Sequence, residues 1–474
     1  MDETNQISTL ESLTEVARSR EQPERNTRLA SIRVSPGAYL ATASVLTFSS
    51  ALLLRSQNDI WAIGFLIAAW LVVPALAFSD RISFDGERLV RQGPVPFLFR
   101  LITGKQRQLK VSDFERVDTH AVRTLRRGGS VRYRYRTQIV GKGITFMFAS
   151  GGRSYREMVR QLFPIIHDDK LDVRSRELRD YLFEPRSLDR EVDELKLASE
   201  QVLDEANADF KLGRVNSSSA EGGTATLAQV ERAFQLRQLA NKLRVNGRLR
   251  EAAEAFRRAL IVIPRDGWLI YEFARLLKSQ ASAKSDARLL SRSRAALRLS
   301  ELRAGEDSKL LALIGESFLE CGEVERAQRT FQRVLELGNA KFRAHVGLAD
   351  VALRTGKLAH VIHQYRDAED SASEKALLRY ARREADYYAL LNEDDDYLVS
   401  ELRRLSWLQH SIRIRRMAAR VTNASILVAL VSPFIEAGIA GVSWALAASS
   451  LSAWVASLFI AKFLGDRRKP RTVN

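Results

Sequence analysis

Two pairs of apolar segments bracket a long basic middle, and no other feature limits the possible folds so strongly. The first pair is residues 38–54 and 60–78, and the second is roughly 421–435 and 443–463. Each segment approaches the ~20 apolar residues that a helix needs to cross about 30 Å of hydrocarbon. Only a few residues separate the members of a pair. Each pair is therefore expected to form a helical hairpin that crosses a bilayer and returns.

The arginines set the expected orientation, because basic residues near span ends mark the cytoplasmic side. Arg25, Arg28 and Arg33 precede the first span, and Arg81, Arg88 and Arg91 follow the second. Arg413, Arg415, Arg416 and Arg420 lead into the third span. Lys462, Arg467, Arg468, Lys469 and Arg471 surround the end of the fourth. The hairpin tips carry only Arg55 with Asp59 in one and Glu436 in the other. Both termini and the middle are expected on the cytoplasmic face of a bacterial inner membrane. The polar stretch 1–37 reads as a cytoplasmic tail and not as a cleavable signal sequence. Hairpins at 38–78 and 421–464 and a basic tail at 465–474 complete the membrane-proximal layout.

A formal charge of +17 and a pI near 10.1 invite a nucleic-acid reading. Two observations favour membrane proximity over nucleic acid. Basic residues flank every span, and anionic head groups attract the same charge. Arginine also outnumbers lysine 59 to 15, a skew that GC-rich coding alone can produce. The single cysteine, Cys321, excludes an internal disulfide framework and fits a reducing compartment.

From 79 to 168 short alternating runs are punctuated by glycine. Residues 82–84, 89–91, 97–101, 117–122, 131–139 and 144–149 read as strands, with Gly128 and Gly129 as a hairpin turn. The period then becomes helical, with Tyr155, Met158, Val159, Leu162, Phe163 and Ile166 on one face. Antiparallel strands closed by a helix, directly after a two-span hairpin, resemble the bacterial pleckstrin-homology-like domains over roughly 85 residues. Period two places Arg132, Arg134 and Arg136 on one sheet face, opposite Val131, Tyr133 and Tyr135. With Arg123, Arg126 and Arg127 across the turn, they read either as a platform for anionic head groups or an acidic partner, or as an ordinary solvated face.

Residues 169–226 read as a charged helical segment followed by a flexible linker rich in serine and glycine. The array at 227–395 carries the clearest soluble signal. Leu236, Leu239, Ala240, Leu243, Gly247, Leu249, Ala252, Phe256, Ala259, Leu260 and Pro264 fall at the spacings of the tetratricopeptide repeat. The frame recurs around Gly322 and again at Gly356, one repeat of 34 residues later. Between the Gly247 and Gly322 repeats lies a degenerate one in which Ala281 replaces the turn glycine and 279–286 is expected to carry an insertion. The chain resembles this family over about 140 residues. A basic juxtamembrane helix at 396–420 joins the array to the second hairpin.

The family resemblance implies a concave groove, lined by the first helix of each repeat, that binds extended or helical peptides. Projection of the frame places Arg237, Asn241, Arg244, Tyr271, Arg275, Lys309, Glu316, Arg343 and Asp350 in it. Arg237, Asn241 and Lys309 resemble part of the clamp by which some members hold a C-terminal carboxylate. Glu272 and Leu313 depart from that clamp, so a groove for an acidic or mixed-charge peptide is the broader expectation.

In the last span Ala445, Ser449, Ala453, Ser457 and Ala461 form a small-residue stripe. Such stripes let membrane helices approach closely, either within the chain or in a homo-oligomer. No phosphate-binding loop or catalytic constellation stands out, and His360, His363 and Asp367 lack a fourth metal ligand. The expectation is a non-enzymatic multidomain membrane protein without cofactor or metal. Its parts are four transmembrane helices in two hairpins, a small β-rich domain and an all-α repeat solenoid. As a function, the layout suggests a scaffold or adaptor that recruits protein partners. The alternative is an integral structural subunit of an envelope transport, secretion or polysaccharide-assembly complex.

Overall fold

The computed structural model describes residues 29–34, 37–103, 108–125, 131–150, 152–182, 184–197, 226–431 and 437–465. It is mostly helical, with two antiparallel sheets. Strand β1 (Ala30–Arg33) leads into helix α1 (Gly37–Arg55), and α2 spans Asp59–Ser79 with a π-helical turn at Ala68–Val72. β2 (Arg81–Phe84) and β3 (Arg88–Gln92) follow, then α3 (Pro94–Thr103) and β4 (Gln108–Lys110). These four strands form one sheet in chain order. A second sheet comprises β5 (Arg116–Leu125), β6 (Val131–Gly141) and β7 (Ile144–Ala149), and α4 (Arg153–Leu162) closes the unit. Phe84, Phe114, Phe148, Tyr155, Met158 and Phe163 fill its core.

Three local readings differ from expectation. Residues 97–101 are helical, not a strand. Pro94 and Pro96 withhold ladder donors but suit a first helical turn, which Phe97 N–H closes onto the Gly93 carbonyl at 3.0 Å. β1 lies inside the stretch expected to be a polar tail, with Ala30 and Ile32 buried on one face. The degenerate repeat does not turn at Ala281. Its first helix runs through buried Ala281 to Lys284, and Ser285 takes the left-handed turn position at φ +55°. The extra residues lengthen the two helices to 18 and 17 residues, against 13 in each helix of the next pair.

After short helices α5 (Val173–Tyr181) and α6 (Pro185–Glu194), four helix pairs build the array. They are α7 (Leu227–Asn246) with α8 (Leu249–Val262), α9 (Gly267–Lys284) with α10 (Ala287–Arg303), α11 (Ser308–Glu320) with α12 (Val324–Glu336), and α13 (Lys341–Arg354) with α14 (Leu358–Asp370). α15 (Lys375–Glu393) caps them. Ala240, Ala252 and Phe256 are fully buried, as close helix approach requires. Gly247, Gly322 and Gly356 all occupy positive-φ turns.

Helix α16 (Asp395–Val431) runs unbroken through the expected juxtamembrane segment and into the apolar one, because no proline or glycine interrupts it. It packs on α17 (Ala437–Phe463), with Thr422 and Ser450 hydroxyls 2.9 Å apart. Among the described residues two helices are long and apolar enough to cross a membrane, Asp59–Ser79 and Gly441–Ala461. Most of each is uncovered by protein. α1 lies beside α2, with Ser50 Oγ donating to the Ala62 carbonyl at 2.7 Å, and it also touches α17. The two hairpins therefore meet.

Candidate functional site

The chain's own α5 lies against the first helices of the array. α5 starts where Asp172 accepts the Ser175 amide at 2.8 Å, a helix N-cap. The preceding strand-like stretch is tied to β5, with Asp172 N–H on the Val117 carbonyl at 3.1 Å. Hydroxyls of Tyr155, Thr137, Thr119 and Ser175 form a buried chain with steps of 2.9, 3.1 and 2.8 Å, joining α4, β6, β5 and α5. Leu178 sits in the core of the β unit, whereas Val173 belongs to the core of the array. One short helix thus bridges both.

Spacing of three and four residues puts Arg237, Asn241 and Arg244 on one face of α7. Asn241 and Arg244 are buried there, as are Tyr271 and Arg275 of α9 and Arg343 of α13. Buried charge is costly unless paired, and here the chain supplies the partners. Arg237 forks onto Glu272 at 2.6 and 2.8 Å, while Asn241 Nδ2 donates to the same carboxylate at 2.7 Å. Tyr181 of α5 adds its hydroxyl at 3.1 Å. Glu177 of α5 reaches Arg244 at 3.1 Å and Arg275 at 2.9 Å. Burial alone would raise the Glu177 carboxyl, but these two guanidinium groups outweigh it and hold it at about 2. Arg275 also binds Glu320 at 2.6 Å, and Lys278 pairs with that carboxylate too. Arg343 Nη2 donates to Glu316 at 2.7 Å.

The β unit touches both ends of the array. At one end Tyr135 Oη donates to the Val245 carbonyl at 2.6 Å, and the Val131 carbonyl lies against Gly247. A Cβ at Gly247 would stand 2.2 Å from that oxygen, so this turn needs glycine for space as well as for φ +89°. At the other end Arg379 pairs with Asp113 at 3.2 Å and Arg383 with Glu115 at 2.5 Å, while Arg116 donates to Tyr380 Oη at 3.0 Å. The array arches over the β unit.

Clefts remain beside α5. The larger, about 1110 Å³, is lined by His167, Arg176, Arg179, Trp268 and Arg343, with exposed Lys309 at its edge. The smaller, about 400 Å³, holds Arg116, Asp118, Asp172, Glu316 and Asp350. A third cavity of about 140 Å³ gathers Arg123, Arg174, Arg244, Arg275 and Lys278 around Glu177 and Glu320. Arg123 reaches this cavity because it pairs in register with Tyr133 and shares its face. Arg132, Arg134 and Arg136 point the opposite way into solvent. Arg126 and Arg127 lie outside the described residues.

In α17, Ala445, Ser449 and Ala453 are exposed, Ala461 is half-buried and Ser457 is buried. The face turned to α16 is instead Ser443, Ala447 and Ser450. Pro433 and Glu436 lie outside the described residues. Glu177, Tyr181 and Glu320 were not among the residues expected at the site. Glu272 was visible as a departure from the clamp pattern, but its role as internal partner was not. No protein-family model matches the chain, and no curated protein matches it.

Proposed function

We propose that this chain is a multi-pass scaffold of a bacterial inner membrane, with both termini and the arched soluble body on the cytoplasmic side. Four helices in two hairpins anchor it, the basic span flanks setting the orientation. Seven antiparallel strands in sheets of four and three, closed by a helix, support the pleckstrin-homology-like reading. Paired helices with positive-φ turn glycines support the tetratricopeptide reading.

One observation carries the functional conclusion: Arg237, Asn241, Arg244, Arg275, Glu316 and Arg343 are paired by α5 and by neighbouring repeats, while Lys309 and Asp350 stay exposed. A partner is therefore recruited beside α5, in the open cleft edged by Lys309, and not through a free groove. Crosslinking mass spectrometry of the full chain in native membranes tests this. Partner peptides joined to Lys309 would support recruitment there. Crosslinks from Lys309 only to this chain's own residues would remove it.

The second reading, an integral structural subunit, is favoured by the contact between α1 and α17, which makes one bundle of the two hairpins. Replacement of both hairpins by an unrelated anchor separates the two. An adaptor keeps its partner, whereas a subunit whose bundle is part of the assembly loses it.

A further inference from the structure

We infer that helix α3 is an interfacial helix that lies in the head-group region of the membrane, beside the foot of α2. The register of the first sheet supplies the placement. Arg33 pairs with Arg81, and Arg81 pairs with Gln92, so all three stand at one edge of the sheet. From that edge the chain leaves twice. It enters α1 after Arg33 and returns from α2 before Arg81, and after Gln92 it enters α3. The membrane hairpin and α3 therefore rise from the same side of the β unit.

Local contacts hold that geometry. Asp80, the first residue after α2, is fully buried. Arg91 grips it through Nε at 3.0 Å and Nη2 at 2.5 Å, and Tyr39 of α1 donates to it at 2.6 Å. Gly93, at φ +150°, packs so close to this turn that a Cβ would lie 3.1 Å from Asp80 Cα. α3 begins at the next residue. The Arg33 guanidinium lies over the Phe78 ring, 5.2 Å from its centre, tying β1 to the end of α2.

Val95, Phe97, Leu98 and Leu101 of α3 are 39, 60, 56 and 67 % exposed. Four large apolar side chains on ten residues form a patch that a water-facing helix would not carry. The sole charged residue of α3 is Arg100, with exposed Arg81 nearby at the sheet edge and no acidic residue in the helix. Apolar side chains with a basic rim match the boundary between acyl chains and anionic head groups. Continuity with α2, itself largely uncovered from Ile60 to Phe78, selects lipid as the occupant. The consequence is orientation: the β unit stands on the membrane through α3 as well as through its hairpin, so it cannot tilt freely about the spans.

The inference rests on the membrane reading of α2, and the test keeps the two apart. Full-length protein with Cys321→Ala receives one cysteine at Leu98, Trp70 or Arg134, labelled with a polarity-sensitive fluorophore. Each variant is reconstituted in vesicles of phosphatidylethanolamine and phosphatidylglycerol. The label at 98 is expected to be quenched at least twofold more by nitroxide high on the lipid chain than by aqueous iodide. The label at 70 should respond to nitroxide deep in the chain and the label at 134 to iodide alone. Iodide quenching at 98 equal to that at 134, with 70 still in lipid, overturns the interfacial helix and leaves the span intact. Water exposure at both 98 and 70 overturns the membrane reading itself. Protection of 98 from both quenchers means that protein covers α3, which also overturns the inference.

Discussion

Glu272 and Arg237 form a two-pronged ion pair at 2.6 and 2.8 Å across neighbouring repeats, and the same carboxylate holds Asn241. A carboxylate clamp takes its anion from a partner. Here the chain carries its own anion at the position where the clamp pattern expects asparagine. Glu272→Asn should free Arg237 and Asn241 for a foreign carboxylate. Anisotropy with a labelled peptide ending in an acidic residue should show binding in the variant and none in the parent. The exchange also leaves a largely buried guanidinium unpaired, which costs about 3 kcal/mol. A variant as stable as the parent would mean that Arg237 is solvated by other means.

The docking of α5 depends on Glu177 standing between Arg244 and Arg275. Glu177→Gln removes one charge and leaves two buried arginines facing each other, again about 3 kcal/mol of local destabilisation. Hydrogen exchange should report it as a roughly 100-fold loss of protection in α5, with the cores of α8 and α12 unchanged. A double-mutant cycle with Arg275→Gln should recover part of the loss, since neighbours in one ion network are not additive. Equal loss throughout the array would show that α5 is part of one cooperative unit and not a separable insert.

The parts that could be read from sequence were those whose signal is local. Gly247, Gly322 and Gly356 mark turns because positive φ favours glycine, and period two separated Arg132 from Tyr133 correctly. Aromatic and aliphatic residues favour a strand at 97–101, but Pro94 and Pro96 decide against it by withholding ladder donors. The self-occupied groove was out of reach for a different reason. Arg116 and Tyr380 are 264 residues apart, and Glu177 and Arg275 are 98 apart. Nothing in the charged run after residue 169 says which arginine a given glutamate will meet. Helical projection places side chains on a face, but it does not say whether that face is already covered.

Two carboxylates of the docked segment respond to pH with opposite sign. Burial lifts Asp172 from 3.8 to about 6, even though Ser175 donates to it. Its folded pKa is raised, so its ionisation opposes docking fully above pH 6, and that penalty is relieved as pH falls from 6 to 3.8. Glu177 is held at about 2 against 4.5, so its contribution is present above pH 4.5 and is lost toward 2. Together these groups favour docking most near pH 4, between the free values of 3.8 and 4.5, with a swing on the order of 3 kcal/mol for each. Thermal melting of the full chain in nanodiscs from about pH 2 to 8 reads both limbs. Asp172→Asn should flatten the alkaline limb and Glu177→Gln the acid limb. An acid limb unchanged in Glu177→Gln would assign the loss to other carboxylates.

Gly247 and Gly322 have the same backbone role but different surroundings, which separates turn strain from domain contact. At Gly322, φ is +81° and an added Cβ meets nothing within 4 Å. Gly322→Ala should therefore cost only the left-handed backbone penalty, about 1 kcal/mol. At Gly247 the added carbon would sit 2.2 Å from the Val131 carbonyl oxygen, and that oxygen belongs to β6, not to a flexible side chain. Relief requires β6 to move away from α7, which loosens the Tyr135 bond to the Val245 carbonyl. Gly247→Ala should cost at least about 2 kcal/mol more than Gly322→Ala. It should also raise hydrogen exchange at the start of β6, an effect absent from Gly322→Ala. Equal losses in the two variants, with β6 unaffected in both, would show that the β unit does not press on the array at this turn.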